Sequence, residues 1–267
     1  MKRDDLGDRM KHYENMFAPQ LMPKLPAIAR IDGRCFSKFT RGLERPYDIR
    51  LSKLMVDTTK YLVDQCDACI GYTQSDEISL CWLSTKFNSQ IIFDGKINKM
   101  VSILAAMASV YFSRHLLEAI PEKADELPVF DCRIWNVPSL SEAANAILWR
   151  EMDATRNSVS MLARAHFSHK QLHGKSREEM MDMLMEKGVN WNDCPVFFKR
   201  GTFVRRKSVA KLFEPEEIES LPERHPAKSD PNFIVMRHKI AELDMPPFSK
   251  VTNRAEVIFE KADPEIE

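Results

Sequence analysis

A chain of 267 residues is long enough for one large domain or two smaller ones, and 44% hydrophobic with 29% charged residues is the make-up of a globular protein with a real core. Lys plus Arg and Asp plus Glu both number 39, so no global field favours nucleic acid and any such binding must come from a local patch. The longest mostly apolar run, Ile103 to Phe112, is too short and interrupted to span a bilayer, and no apolar stretch follows Met1-Lys2-Arg3-Asp4-Asp5; no membrane partner and no secretory signal are expected, and a cytoplasmic location is.

Residues 4–17 read as a helix with Leu6, Met10, Tyr13 and Phe17 on one side. Pro19, Pro23 and Pro26 end it and lead into a strand-like run, Ala27 to Ile31, closed by Asp32 and Gly33. Asp48 is a plausible N-cap for a helix that repeats Leu51, Leu54, Met55, Thr58 and Leu62 on one face. Strands over 68–73 and 77–83 follow, joined at Gln74-Ser75-Asp76-Glu77. A second helix spans about 97–118, and Pro128 introduces a strand from Val129 to Trp135. Beyond it, Ser139 and Glu142 fit a capping box for a helix to about Phe167, and Ser176 starts another that ends near Gly188. Residues 196–207 read as a strand pair or long hairpin, and 215–247 as irregular loop rich in proline and charge. The six cysteines lack the second close pair a zinc site needs, so they read as reduced structural thiols.

The order β-α-β-β-α-β is the ferredoxin-like split βαβ arrangement. The expected class is α/β (α+β): a ferredoxin-like domain at 1–137, then a mainly helical and hairpin region at 138–267 packed on it. The crossover makes the first two strands parallel, so their C-terminal ends share one edge of the sheet. The third strand inserts between them and starts at that edge. Topology thus brings Asp32 and Asp76 to neighbouring strand ends. Two aspartates beside a glycine suit Mg²⁺, which takes one or two carboxylates plus water and substrate phosphates, and two such ions suit phosphoryl or nucleotidyl transfer. Arg34, Cys35, Phe36 and Ser37 would offer backbone amides to phosphates, and Lys96 and Lys99 would point at the same edge. The plain alternative is that these are solvated turn residues.

Arg30-Ile31-Asp32-Gly33-Arg34-x-Phe36, Tyr72-x-Gln74-Ser75-Asp76-Glu77-x-Ser79 and Phe130-Asp131-x-Arg133 resemble, in order and spacing, the motifs of the tRNA(His) guanylyltransferase family and its Thg1-like relatives. Echoes of the family run from Tyr13 to about Val204, some three quarters of the chain. The resemblance implies a polymerase-type palm, which makes 1–137 a palm-like catalytic domain, and 3′→5′ nucleotide addition to the 5′ end of tRNA. A 5′-monophosphate is first activated with ATP or GTP, and the 3′-hydroxyl of an incoming nucleoside triphosphate then attacks it. It further implies that Asp32, the Gly33 carbonyl and Asp76 hold two Mg²⁺ ions with Glu77 as a nearby support, that Arg34 to Ser37, Ser75 and Lys99 line the triphosphate, and that the assembly is a homo-tetramer. Where the tRNA(His)-selective branch carries a histidine after Trp149-Arg150, this chain has Thr155. The region from Asn157 through His169-Lys170 to Asp193 looks instead like the bacterial or phage Thg1-like proteins, which resemble template-directed 5′-end repair enzymes. Addition of a single G to tRNA(His) is the alternative.

Lys199 to Lys211 holds six basic residues and no acidic one. It reads either as a solvated hairpin or as an RNA strip through Lys199, Arg200, Arg205 and Arg206. His166, His169 and His173 share one face if the helix continues, suiting RNA with Lys170 better than a metal. Asp131 and Arg133, two apart on a strand, read as an internal ion pair. A nucleotidyl cyclase on the same palm and a non-catalytic RNA-binding module are the rivals.

Overall fold

A computed structural model describes residues 5–86, 91–230 and 232–266. Its centre is a six-stranded sheet in the order β4-β1-β3-β2-β5-β6, antiparallel at every pairing. The strands are β1 (Ala27–Gly33), β2 (Ile70–Gln74), β3 (Glu77–Trp82), β4 (Phe130–Asn136), β5 (Thr202–Leu212) and β6 (Ile234–Glu242). Both β1 and β2 run antiparallel to β3, hence parallel to each other, as the split βαβ order requires.

Residue alternation divides the work of the two sheet faces. Ala27, Ala29 and Ile31 of β1 are buried in a cluster with Leu80 of β3 and the helices α3 (Ile49–Gln65) and α4 (Ile97–Ala119). Asp48 caps α3 as expected, accepting from the Arg50 N–H. Along α4, Met100, Leu104, Ala108, Phe112 and Leu116 recur on one face and are fully buried. By length and composition alone α4 is long and apolar enough to cross a membrane, which the shorter run Ile103–Phe112 did not suggest; in the fold its apolar stripe is the floor of the core. The opposite sheet face carries Ile28, Ile70 and Tyr72 against Ala143, Ala144 and Ile147 of α5 (Leu140–His166) and Val257 and Ile258 of α11 (Arg254–Phe259).

Helix α1 (Asp5–Asn15) forms over nearly the expected span, whose first residue, 4, lies outside the described ones; Leu6, Met10 and Tyr13 stay exposed. Ser139 caps α5 by accepting from the Glu142 N–H, while Glu142 turns to Asn145 instead of closing the box. Full capping boxes open α6 (His169–Leu172) and α7 (Arg177–Glu186). Because α5 stops at His166 and Phe167 is extended, the three histidines do not share one helix face as expected. Among the described residues no group of three or more His, Cys, Asp or Glu is placed to hold a metal.

Two expectations are corrected in the C-terminal half. Residues Val196–Arg200 form helix α8, not a strand arm, because Pro195 starts a helical turn that buries Phe198 against α5 residues Leu162 and Ala163. The stretch 215–247 is not irregular. It holds α9 (Pro215–Ser220), α10 (Pro226–Ser229) and β6, which pairs with β5 from Val204↔Glu242 to Leu212↔Ile234. Strand β6 is largely exposed and rich in charge, so it lacks the alternation that marks a half-buried strand. The sheet therefore runs on past residue 137 into the hairpin.

Arg205 is buried where that hairpin leaves the sheet. It donates to the carbonyls of Val257 (3.1 Å) and Ala262 (2.6 Å) and reaches Asp263 at 3.2 Å. Arg205→Met removes the donors and leaves buried carbonyls unmet, so we expect a loss of about 2 kcal/mol in denaturant unfolding, with RNA affinity per folded molecule unchanged.

Candidate active site

The two carboxylate-bearing places do meet. The Gly33 N–H donates to the Asp76 carbonyl at 3.0 Å, tying the end of β1 to the β2–β3 turn. That turn has a two-residue loop, since Gln74 pairs with Glu77, and Ser75 takes a left-handed φ of 53° to close it. Gly33 has a steric reason of its own: a Cβ there would lie 2.3 Å from the Phe36 ring. Phe36 is locked in a cluster with Phe39, Phe112 and Phe130. Cys35, at φ 59°, is the N-cap of the short helix α2 (Phe36–Phe39).

Register lines up three acids on one sheet face: Asp32 pairs with Glu77 on one side and Asp131 on the other. Like charges directly opposite on neighbouring strands repel, and each flank has its own cation. Arg150 grips Glu77 in a bidentate pair at 2.6 and 2.7 Å, and Arg133 stands 3.5 Å from Asp131. The Asp32 carboxylate makes no side-chain hydrogen bond or ion pair among the described residues, and the Asp76 carboxylate accepts from the Ser75 hydroxyl at 2.8 Å and from its own backbone N–H but meets no cation. The central acids are left for something not in the protein. Two hard carboxylates without nitrogen or sulfur companions suit Mg²⁺ rather than a closed protein cage.

Beyond this edge opens a cleft of about 620 Å³ lined by Gly33, Cys35, Ser37, Ser75 and Asp76 together with Met161 and Arg164 of α5, Phe197 of α8 and Thr202 of β5. Lys38 and Phe39 already donate to the Cys35 carbonyl, which leaves the N–H groups of Cys35, Phe36 and Ser37 ahead of the first helical acceptor of α2. The Phe36 ring is buried, so only its backbone can serve a ligand, and the Arg34 N–H is taken by Val129 O at 2.9 Å. Arg150 and Arg164 were not foreseen; both lie on α5, and only folding lays that helix along the edge. Thr73, also unforeseen, and Gln74 of the hairpin motif line the cleft through the same hairpin.

Lys99 is a correction. Ser109 of α4 accepts from the Phe130 N–H, and Phe130 pairs with Gly33, so the carboxylate edge lies level with the second half of α4. Lys99 stands ten residues earlier, about 15 Å along the helix, above the Phe93 ring, and Lys96 bridges to Gln20 at that same far end. The Asp131–Arg133 pair forms but is about half exposed on the edge strand β4, not internal.

The expected RNA-facing residues separate. Lys199 and Arg200 line a second hollow of about 550 Å³ with Thr155, Arg156, Arg177 and Trp191. Lys199 donates to Asn192 O and lies over the Trp191 ring. Asn157 is exposed and bonded to Asp153, and His169 and Lys170 are exposed on α6. Arg205 is a structural anchor, and Arg206 is held by Asp64 and Asp67; as strand residues their neighbours are fixed by pairing that local composition does not report. Cys35 lines the cleft while Cys66, Cys81 and Cys132 are buried, burial pushing the Cys66 thiol up to about 11.

Burial raises the Asp76 carboxyl above the ordinary value of 3.8; the Asp32 charge adds to this and the Ser75 hydroxyl opposes it. Folded chains then hold this proton longer than unfolded ones, so without a cation stability is lost as pH climbs from the unfolded value through the folded one. Asp76→Asn removes that loss. In EDTA at about pH 7 its melting temperature should exceed the parent's, and the gap should close as pH falls toward about 4, as followed by calorimetry.

The family model described as tRNAHis guanylyltransferase matches residues 7–138. An uncharacterised protein of Acanthamoeba polyphaga mimivirus is 31% identical over 77% of this chain and 78% of its own length. The tRNA(His) guanylyltransferase of Saccharomyces cerevisiae is 27% identical over 70% of this chain and 85% of its own. A bacterial tRNA(His) guanylyltransferase (Thg1)-like protein in complex with ATP superposes with a TM-score of 0.70 at 40% identity, covering 76% of this chain and 87% of that one. Another in complex with GTP gives 0.69 at 32%, covering 92% and 95%. With its palm-like sheet, its paired aspartates at one edge and these relatives along most of its length, the chain belongs to the tRNA(His) guanylyltransferase family.

Proposed function

We propose that this protein is a 3′→5′ nucleotidyltransferase that adds nucleotides to the 5′ end of tRNA, in the manner of template-directed end repair. The observation that carries the reading is the Gly33–Asp76 bond, which sets Asp76, in the lining of a nucleotide-sized cleft, close to Asp32, neither carboxylate paired with a protein cation. Solved relatives holding ATP and GTP support nucleoside triphosphates as the occupants.

Asp32, Asp76 and the Gly33 carbonyl would hold Mg²⁺, which when bound neutralises developing phosphate charge and lowers the pKa of an attacking hydroxyl. The chain's own contribution is placement. Backbone N–H groups at Cys35 to Ser37 and the Arg164 guanidinium, all in the cleft lining, meet the triphosphate. The Glu77–Arg150 pair holds the turn so that Asp76 keeps its place under the cleft. Chemistry proceeds by attack of a 3′-hydroxyl oxygen on the activated 5′-phosphorus, with the P–O bond to the leaving group breaking as the new one forms. The Lys199–Arg200 hollow is a second, cationic contact for the RNA phosphates. A homo-tetramer would give the exposed apolar side of α1 a surface to cover it.

Asp32→Ala and Asp76→Ala should each lower nucleotide addition by at least about a thousandfold with an unchanged circular dichroism spectrum, and EDTA should do the same to the parent. An active double variant would sink the mechanism. The substrate test offers a 5′-truncated tRNA with each nucleoside triphosphate. Incorporation that follows the nucleotide opposite the gap supports repair; G addition to intact tRNA(His) alone supports the guanylyltransferase reading that the fungal relatives favour. A cyclic product from GTP alone would point to the cyclase.

A further inference from the structure

Deepening that reading, we propose that Trp149 and Arg30 form a platform for the 5′-terminal nucleotide of the RNA, its base on the indole and its phosphate at Arg30 and Arg133. Trp149 is 50% exposed although its helix lies across the sheet. An indole held in water beside charge is a candidate stacking surface. Arg150 lies 4.5 Å from its ring centroid and Arg30 5.9 Å.

The two arginines differ. Arg150 is committed to Glu77, whereas the Arg30 Nε is buried with no hydrogen-bond partner, a state that asks for an acceptor. Directly across β4 stands Arg133, in register with Arg30 and about half exposed. Two guanidiniums opposite each other repel unless an anion lies near both. Asp131 answers Arg133 only in part, at 3.5 Å, and Glu77, the acid near Arg30, is already gripped by Arg150. A phosphate group matches the remaining demand, since guanidinium presents a planar fork of donors.

Position supports the assignment. Arg30 is two residues from Asp32 on the same strand face, and Trp149 precedes the residue that grips Glu77. Met161 and Arg164, in the nucleotide cleft, lie about 18 to 22 Å further along α5. The carboxylate edge therefore separates the cleft from the platform. A transfer that joins two substrates at that edge needs one on each side. Stacking is tolerant of base identity, which suits an RNA end that changes with every addition.

The test measures binding without nucleotides, so no addition occurs. A 3′-labelled RNA minihelix bearing either a 5′-phosphate or a 5′-hydroxyl is titrated by fluorescence anisotropy, and GTP separately by equilibrium dialysis. Trp149→Ala should weaken the phosphorylated RNA about tenfold or more, and Trp149→Phe should stay within about threefold. Arg30→Gln should erase the preference for the 5′-phosphate, with GTP affinity in all variants within about twofold. Equal RNA affinity in parent and Trp149→Ala, or no RNA binding by the parent, overturns the platform. A loss confined to GTP also overturns it and gives the platform to a free nucleotide. Addition activity is scored separately: a parent that binds through Trp149 yet adds nothing would defeat the proposed function and not the platform.

Discussion

One backbone hydrogen bond, from the Gly33 N–H to the Asp76 carbonyl, does more than any side chain to make this site. It joins the end of one strand to a turn more than forty residues away and sets Asp32 and Asp76 at a common edge. The cost is electrostatic. In-register pairing puts Glu77, Asp32 and Asp131 in a row, a like-charge arrangement that a sheet tolerates only with compensation. Arg150 and Arg133 supply it at the flanks and leave the middle open. The central aspartate is thus held in place by neighbours that repel it, as expected where a bound cation completes the balance.

The rest of the fold divides along the sheet. One face is packed by α3 and α4 into an apolar core, which makes the strands rigid. The other carries the acids, the arginines and the long helix α5. Because α5 crosses that face and continues beyond the edge, it supplies Trp149 beside the carboxylates, Arg150 onto them and Arg164 into the cleft. Helix α8 then forms a partition: Phe197 and Phe198 line the nucleotide cleft, while Lys199 and Arg200 line the second hollow. Gly201 allows the chain to pass there, since at φ 76° a Cβ would fall 2.5 Å from the Thr73 carbonyl.

Basic residues close in sequence turn out to have unlike roles. Arg205 bonds to main-chain carbonyls in the interior, Arg206 answers Asp64 in the last turn of α3 and Asp67 just after it, and Lys199 and Arg200 line the second hollow. A run of positive charge on a strand alternates between faces, and each face meets different neighbours. Counting charge along the chain cannot separate these cases.

The sequence by itself determined the β-α-β-β-α-β order, the capped helices and the meeting of Asp32 with Asp76. Each follows from local periodicity, turn chemistry and the handed connection of parallel strands, and the motifs at 30–36, 72–79 and 130–133 carried the family. It did not determine β6, helix α8, the Arg150 grip on Glu77 or the distance of Lys99 from the site. Those depend on how far a helix extends, which end of it lies at the active edge, and which remote strand completes an exposed hairpin. Such distances and directions arise only when α4 and α5 are laid against the sheet, so the tertiary structure alone decided which cations serve the carboxylates and which merely lie near them in sequence.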